Sequence, residues 1–198
     1  MSWSTAYGEI VMATGQSAPP APASRRRISR PFATVLTLAA ALVAVDQLTK
    51  WWAVSALTGR APVPVIGDLI QLRLTYNPGA AFSIGTGYTW VLAVFAAAAV
   101  VTITYVARRV RSRGWAVGFG MVLGGAATHL ADRLLREPGF ARGHVVDFID
   151  YGPFVGNVAD IALVLGVVLM VVLSLRDIPM AGPAAEPGTA SEQPAGTP

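Results

Sequence analysis

The 198-residue chain contains no cysteine, so disulfides and thiolate metal sites are excluded. Charge is scarce: Asp, Glu, Lys and Arg make up 13% of the residues, about half of what a soluble domain carries. Hydrophobic residues reach 54% and the mean hydropathy is +0.54. Together these values put the chain in a membrane. Basic residues outnumber acidic ones, 15 to 11, giving a formal charge of +4. On a soluble protein an excess of this kind suggests nucleic acid. Here the arginines sit in clusters beside apolar runs, where they act as topology signals, and no nucleic-acid partner is expected. There is also no internal repeat of about 20 to 50 residues.

What is present is a series of apolar runs with polar connections. Residues 1 to about 24 are small and polar and end in alternating Ala and Pro, so residues 1–30 read as a disordered cytoplasmic tail. Arg25, Arg26, Arg27 and Arg30 lead into an apolar run from Phe32 that can continue as helix to Leu57. A cleaved signal peptide is the alternative, with Val54-Ser55-Ala56 as a tolerable cleavage site, but the run is long enough to span and further spans follow. From Ile70 to Tyr76 apolar and polar residues alternate strictly, which is strand periodicity. Pro62, Pro64 and Gly67 before it and Asn77-Pro78-Gly79 after it supply turns. A small extramembrane β element is therefore expected over about residues 60–86.

Tyr88 to Val106 reads as the second span, Trp115 to Leu135 as a glycine-rich third, and Phe154 to Leu175 as the fourth. The polar connection between the last two contains Gly143 to Asp150, a second candidate strand. Residues 177–198 are proline-rich and read as another disordered cytoplasmic tail. The expected fold class is an all-α membrane protein: four transmembrane helices over residues 31–176 with a small extracytoplasmic β element.

Arginines before the first span, in Arg108 to Arg113 and at Arg176 all fall on one side of a four-span chain, the cytoplasmic side by the positive-inside rule. Both termini are then inside. The other side gathers Asp46 and Lys50, Asn77 to Phe82, His129 to Arg133, Asp147, and Asn157 to Asp160. This clustering predicts one site at the outer membrane interface.

Asp132 ends the third span and Asp160 begins the fourth, so in an antiparallel pair they lie at one depth and can face each other. An ionised carboxylate inside an apolar run costs roughly 2.5–3.5 kcal/mol. Two of them within about 4 Å repel by about 4 kcal/mol at an effective dielectric of 20. One then keeps a proton and the other does not, the state in which aspartic proteases activate water and protonate a leaving amine. The plainer reading pairs each acid with an arginine, Arg133 being adjacent to Asp132. His129 lies one turn before Asp132. With no cysteine and no second histidine on that helix, it reads as a hydrogen-bonding partner rather than a metal ligand. Asp46 and Lys50 have the spacing of a helical ion pair, structural or in contact with a lipid headgroup. His144 reads as structural. Asn77-Pro78-Gly79 reads as an ordinary turn or as a point of close backbone approach.

Five blocks occur in order: Val45-Asp46-Gln47-Leu48-Thr49-Lys50, Asn77-Pro78-Gly79-Ala80-Ala81-Phe82-Ser83, Gly124-Gly125 through Asp132-Arg133-Leu134, Gly143-His144-Val145-Val146-Asp147-Phe148, and Asn157-Val158-Ala159-Asp160. Together they resemble the signature blocks of the lipoprotein signal peptidases (signal peptidase II), in an arrangement similar to actinobacterial members, from about Phe32 to Arg176. The resemblance implies an aspartic endopeptidase of the bacterial plasma membrane. Such an enzyme cuts prolipoproteins at the outer leaflet, just before a diacylglyceryl-modified cysteine. It implies Asp132 and Asp160 as the catalytic pair. Asn77, Gly79, His129, Arg133 and Asn157 would line the pocket, and Asp46 and Lys50 would support it. No metal or organic cofactor is implied. The implied partners are lipidated prolipoproteins and membrane lipid, with the chain acting as a monomer.

Three positions depart from the family pattern. His129 stands where an Asn is usual, Gly156 where a Phe is usual, and Ile161 where a small hydroxyl residue is common. These departures leave two readings, an active enzyme with altered pH dependence or specificity, or a divergent paralogue that binds lipoproteins with weak or no catalysis. A small proton-coupled transporter using the two aspartates is a further alternative, although the second and fourth spans carry almost no polar residue at mid-depth.

Overall fold

The computed structural model describes residues 28–79 and 87–181. The tails, apart from their innermost residues, and Ala80 to Ser83 of the second block lie outside the described residues.

Helix α1 (Arg30–Leu57) opens on Ser29, whose hydroxyl accepts from Phe32 N–H at 3.4 Å, with Pro31 in the first turn, where a missing N–H costs nothing. It ends before Gly59, whose φ of +71° suits a residue without a Cβ. Strands β1 (Val63–Ile66) and β2 (Ile70–Asn77) form an antiparallel hairpin. Helices α2 (Thr89–Ala107) and α3 (Arg113–Leu135) follow, then β3 (Val145–Asp150), β4 (Val155–Gly156) and α4 (Val158–Leu175). The expected strands at Ile70–Tyr76 and within Gly143–Asp150 both form. They pair with each other, so that one four-stranded antiparallel sheet runs β1-β2-β3-β4.

Helix α4 starts at Val158 rather than at the expected Phe154. Asn157 caps it, its side chain accepting from Asp160 N–H while Asp160 accepts from Asn157 N–H, and this reciprocal box satisfies two N–H groups that a helix start leaves open. Past α4 the chain turns back. Ile178 C=O accepts from Trp115 Nε1 at 2.8 Å and Met180 C=O from Arg111 N–H at 2.9 Å, so the chain stays attached to the helices through Met180.

Helices α1, α2 and α4 are long and apolar enough to cross a membrane, and apolar side chains such as Phe95, Val101, Val167 and Val168 face outward. Helix α3 packs against the other three. Shielded by its neighbours, it can be less apolar and glycine-rich. A Cβ on Gly124 would lie 2.8 Å from Leu42 Cβ on α1, and one on Gly125 would lie 2.5 Å from Leu163 Cγ on α4. Glycine at both positions lets the helices meet backbone to backbone.

Candidate active site

Helix α3 presents two polar rows to different neighbours. Thr128, Asp132 and Arg136, spaced by four, meet α1. Asp132 Oδ2 lies 2.6 Å from Lys50 Nζ, and its Oδ1 accepts from Gln47 Nε2 at 2.9 Å and Arg136 Nε at 2.7 Å. Lys50 also pairs with Asp46 at 2.7 Å. Asp46 in turn accepts from the Thr128 hydroxyl at 2.5 Å and from Ala159 N–H at 2.9 Å. Asp46, Lys50 and Asp132 are at most 1% exposed. A buried charge is tolerated only when paired and hydrogen-bonded, and this cluster meets that condition: among the described residues no buried side-chain nitrogen or oxygen lacks a partner. Asp46 and Lys50 do form the expected ion pair, and both are buried within the protein.

The second row, His129 and Arg133, faces a cavity of ≈ 560 Å³. Its polar wall is His129, Arg133, Asn77, Asp147 and Asp160, and its apolar wall includes Leu92 and Ala96 of α2 and Leu163 and Val164 of α4. The expectation that Asp132 and Asp160 face one another is not met. Asp132 lies on the α1 side of α3 with both carboxylate oxygens occupied, and the acid that shares the cavity with Asp160 is Asp147. Consecutive residues on a helix differ by about 100° in direction, so Arg133 reaches the cavity and Asp132 does not.

Strand alternation delivers Asp147. Phe148 points toward α1, where it packs with Ala53 and Leu57. Val145 and Asp147 point the other way and line the cavity. Asp147 is 4% exposed and accepts from Asn157 Nδ2 at 2.6 Å and Asn77 Nδ2 at 3.3 Å. Burial pushes its carboxyl up to about 6, and the charge of Asp160 pushes the same way. The two asparagine hydrogen bonds and His129 pull against them. Asp160 accepts from Asn157 N–H at 2.9 Å, and its Oδ1 lies 3.1 Å from His129 Nε2.

Arg133 fixes the frame. Its guanidinium donates to the carbonyl oxygens of Asn77 and Gly143, each at 3.1 Å, and of Gly79. The end of β2 is thereby held beside the start of β3, with the Asn77 and Gly79 turn at the rim of the cavity. Asn157 is fully buried and joins Asp147 to the cap of α4. His144, outside the cavity lining, hydrogen-bonds through its backbone to Glu137 C=O at 2.9 Å. Among the described residues no three His, Cys, Asp or Glu side chains are grouped to hold a metal ion.

Of the expected site residues, Asn77, Gly79, His129, Arg133 and Asp160 meet at the cavity with Asn157 behind them, while Asp46, Lys50 and Asp132 form the separate cluster. Asp147 is the residue that spacing arguments passed over. Its signal was an acid on the same strand face as Val145, within a short apolar strand.

Comparison with known proteins places the chain among membrane enzymes. The profile of the family described as "Signal peptidase (SPase) II" matches residues 38–176. The lipoprotein signal peptidase of Mycobacterium avium (strain 104) is 48% identical over 163 residues, covering 82% of this chain and 87% of that protein. The lipoprotein signal peptidase of Rhodococcus jostii (strain RHA1) is 46% identical over 160 residues, covering 80% and 79%. Two solved structures, each described as a bacterial membrane enzyme determined by the in meso method, superpose with TM-scores of 0.63. They are 24% and 26% identical, and cover 84% and 73% of this chain and 95% and 94% of theirs.

Proposed function

Because the chain belongs to the signal peptidase II family, and so is a membrane protease that removes lipoprotein signal peptides, we propose that Asp147 and Asp160 carry its chemistry. The observation that carries this reading is that these two acids share one cavity while Asp132 is neutralised by Lys50 and Arg136. Asp132 is accordingly a structural residue. With burial favouring the protonated form of Asp147, the pair can hold one proton between two carboxyl groups. One carboxylate takes a proton from water as the water oxygen bonds the scissile carbonyl carbon. The other gives a proton to the amide nitrogen as the C–N bond breaks. The products are a carboxylate on the signal peptide and a free amine on the lipidated cysteine.

The substrate is a prolipoprotein whose cysteine already carries a diacylglyceryl group. Leu92, Ala96, Leu163 and Val164 give the cavity an apolar side suited to acyl chains, and Asn77, Gly79 and Arg133 give it a polar side suited to peptide. In our reading α3 also crosses the bilayer, both termini are cytoplasmic and the sheet lies outside. The cavity then opens at the outer leaflet of the plasma membrane, and the enzyme works as a monomer. Family membership sets aside the transporter alternative.

The test is cleavage of a synthetic peptide bearing a diacylglyceryl cysteine. Asp147→Asn and Asp160→Asn are expected to lose about 10²–10⁴-fold in turnover, while Asp132→Asn, corrected for folded fraction, keeps it. Wild-type turnover by Asp147→Asn would refute the assignment.

A further inference from the structure

The two cavity carboxylates are held in part alike. Asp147 accepts from the side-chain amides of Asn157 and Asn77, and Asp160 accepts from the backbone N–H of Asn157. What separates them is direct contact with an ionisable side chain. Asp160 Oδ1 lies 3.1 Å from His129 Nε2, the His129 side chain being 22% exposed and that of Asp160 37%. Asp147 has no such contact among its hydrogen bonds and is 4% exposed. The histidine therefore sits where solvent protons reach it, against one acid of the two.

We propose that His129 is a positioning residue that makes the pair unequal. When protonated, its ring holds Asp160 as the carboxylate that takes the proton from water, and this leaves Asp147 as the acid that gives a proton to the leaving amine. The inference rests on reading Asp147 and Asp160 as the catalytic pair. His129 itself transfers no proton. After cleavage the proton gained by Asp160 and the one lost by Asp147 balance, and a proton passing between them through water restores the starting state.

The other groups around His129 are accounted for. From α3, Arg133 is tied to three carbonyl oxygens, and Asp132 is engaged by Lys50 and Arg136. From α1, Lys50 lies between Asp46 and Asp132, and its charge also reaches Asp160, unchanged by substitution at His129. From the turn between β3 and β4, the Tyr151 hydroxyl is pushed above its ordinary range, by burial first and then by the charge of Asp160, so it stays neutral. Helix α2 brings only the apolar Leu92 and Ala96 to the cavity. From β3, Asp147 titrates at about 6, within reach of the range of about pH 5 to 8 in which histidines change charge.

A cation beside two carboxylates favours the charged form of both. Replacing it with a neutral amide must therefore move both limbs of a bell-shaped rate profile to higher pH. The experiment measures kcat and KM across the pH range for wild type, His129→Asn and His129→Gln, on a synthetic diacylglyceryl-cysteine peptide in detergent micelles. The expected result is that both limbs shift upward by about one pH unit or more with KM little changed. Superimposable profiles, a downward shift, or an equal loss of kcat at every pH would overturn the inference. The Gln variant provides the reading if the Asn variant does not fold. Asp147→Asn and Asp160→Asn run alongside. If those two variants cleave normally, the catalytic pair itself is misassigned. If they are inactive and the histidine variants keep the wild-type limbs, only the role of His129 falls.

Discussion

Asp132 and Arg133 are consecutive, yet they serve different parts of the molecule because a helix turns between them. The same logic separates Asp147 from Phe148 on a strand. These placements predict opposite consequences for two acids that look alike in the sequence. Asp132→Ala leaves Lys50 and Arg136 without their shared carboxylate, and removing one partner of a buried pair costs about 3–5 kcal/mol. The readout is a lower thermal midpoint in detergent. Asp147→Asn is expected to fold, with a pH signature. The raised carboxyl of Asp147 favours the protonated fold, so wild-type stability falls as pH rises from the ordinary carboxylate range through about 6. The loss approaches about 3 kcal/mol above that. Asparagine does not titrate, so the midpoint difference, variant minus wild type, should be more positive on the alkaline side of that value than on the acidic side. An unchanged difference would mean that the Asp147 carboxyl is not raised. Gly156 gives a second residue-level prediction. A Cβ there would lie 3.0 Å from Asp160 Oδ2 and 3.4 Å from Phe154 Cε2. Gly156→Ala is expected to displace the Asp160 carboxylate, lowering kcat while the protein still folds.

At the scale of elements, the site depends on how α4 begins. Its first turn carries Asp160, and its N–H groups are held by Asn157 from within and by Asp46 from α1. The buried cluster of Asp46, Lys50 and Asp132 thus sets the height and rotation of α4 relative to α1 and α3 without lining the cavity. Lys50→Ala would leave two buried carboxylates side by side, one of them still contacted by Arg136. A loss of about 3–5 kcal/mol is expected, and activity should fall only in proportion to the folded fraction. Chemical denaturation combined with peptide cleavage on the surviving fold checks this. If turnover per folded molecule collapsed instead, the cluster would be needed to place or assist the catalytic acids and not for stability alone.

For the whole molecule, α3 packs against α1, α2 and α4, and this shielding supports our proposal that a helix less apolar than its neighbours also spans. The topology we propose has a direct test, because the absence of native cysteine makes single introduced cysteines unambiguous. In intact cells a membrane-impermeant maleimide should label Asp68→Cys, in the exposed turn between β1 and β2, and spare Arg111→Cys, in the turn between α2 and α3, until the cells are permeabilised. The reverse pattern would invert the orientation. Composition and periodicity alone determined the membrane class, the four helices and the two main strands, because hydropathy and side-chain period are local properties. The ordered blocks identified the family for the same reason. Which acids meet was not legible locally. That Asp147 rather than Asp132 joins Asp160 depends on pairing β2 with β3 across two intervening helices, and on the rotation of α3 between α1 and the cavity. Strand pairing and helix rotation are set by contacts between residues far apart in the chain, so only the tertiary structure decided them.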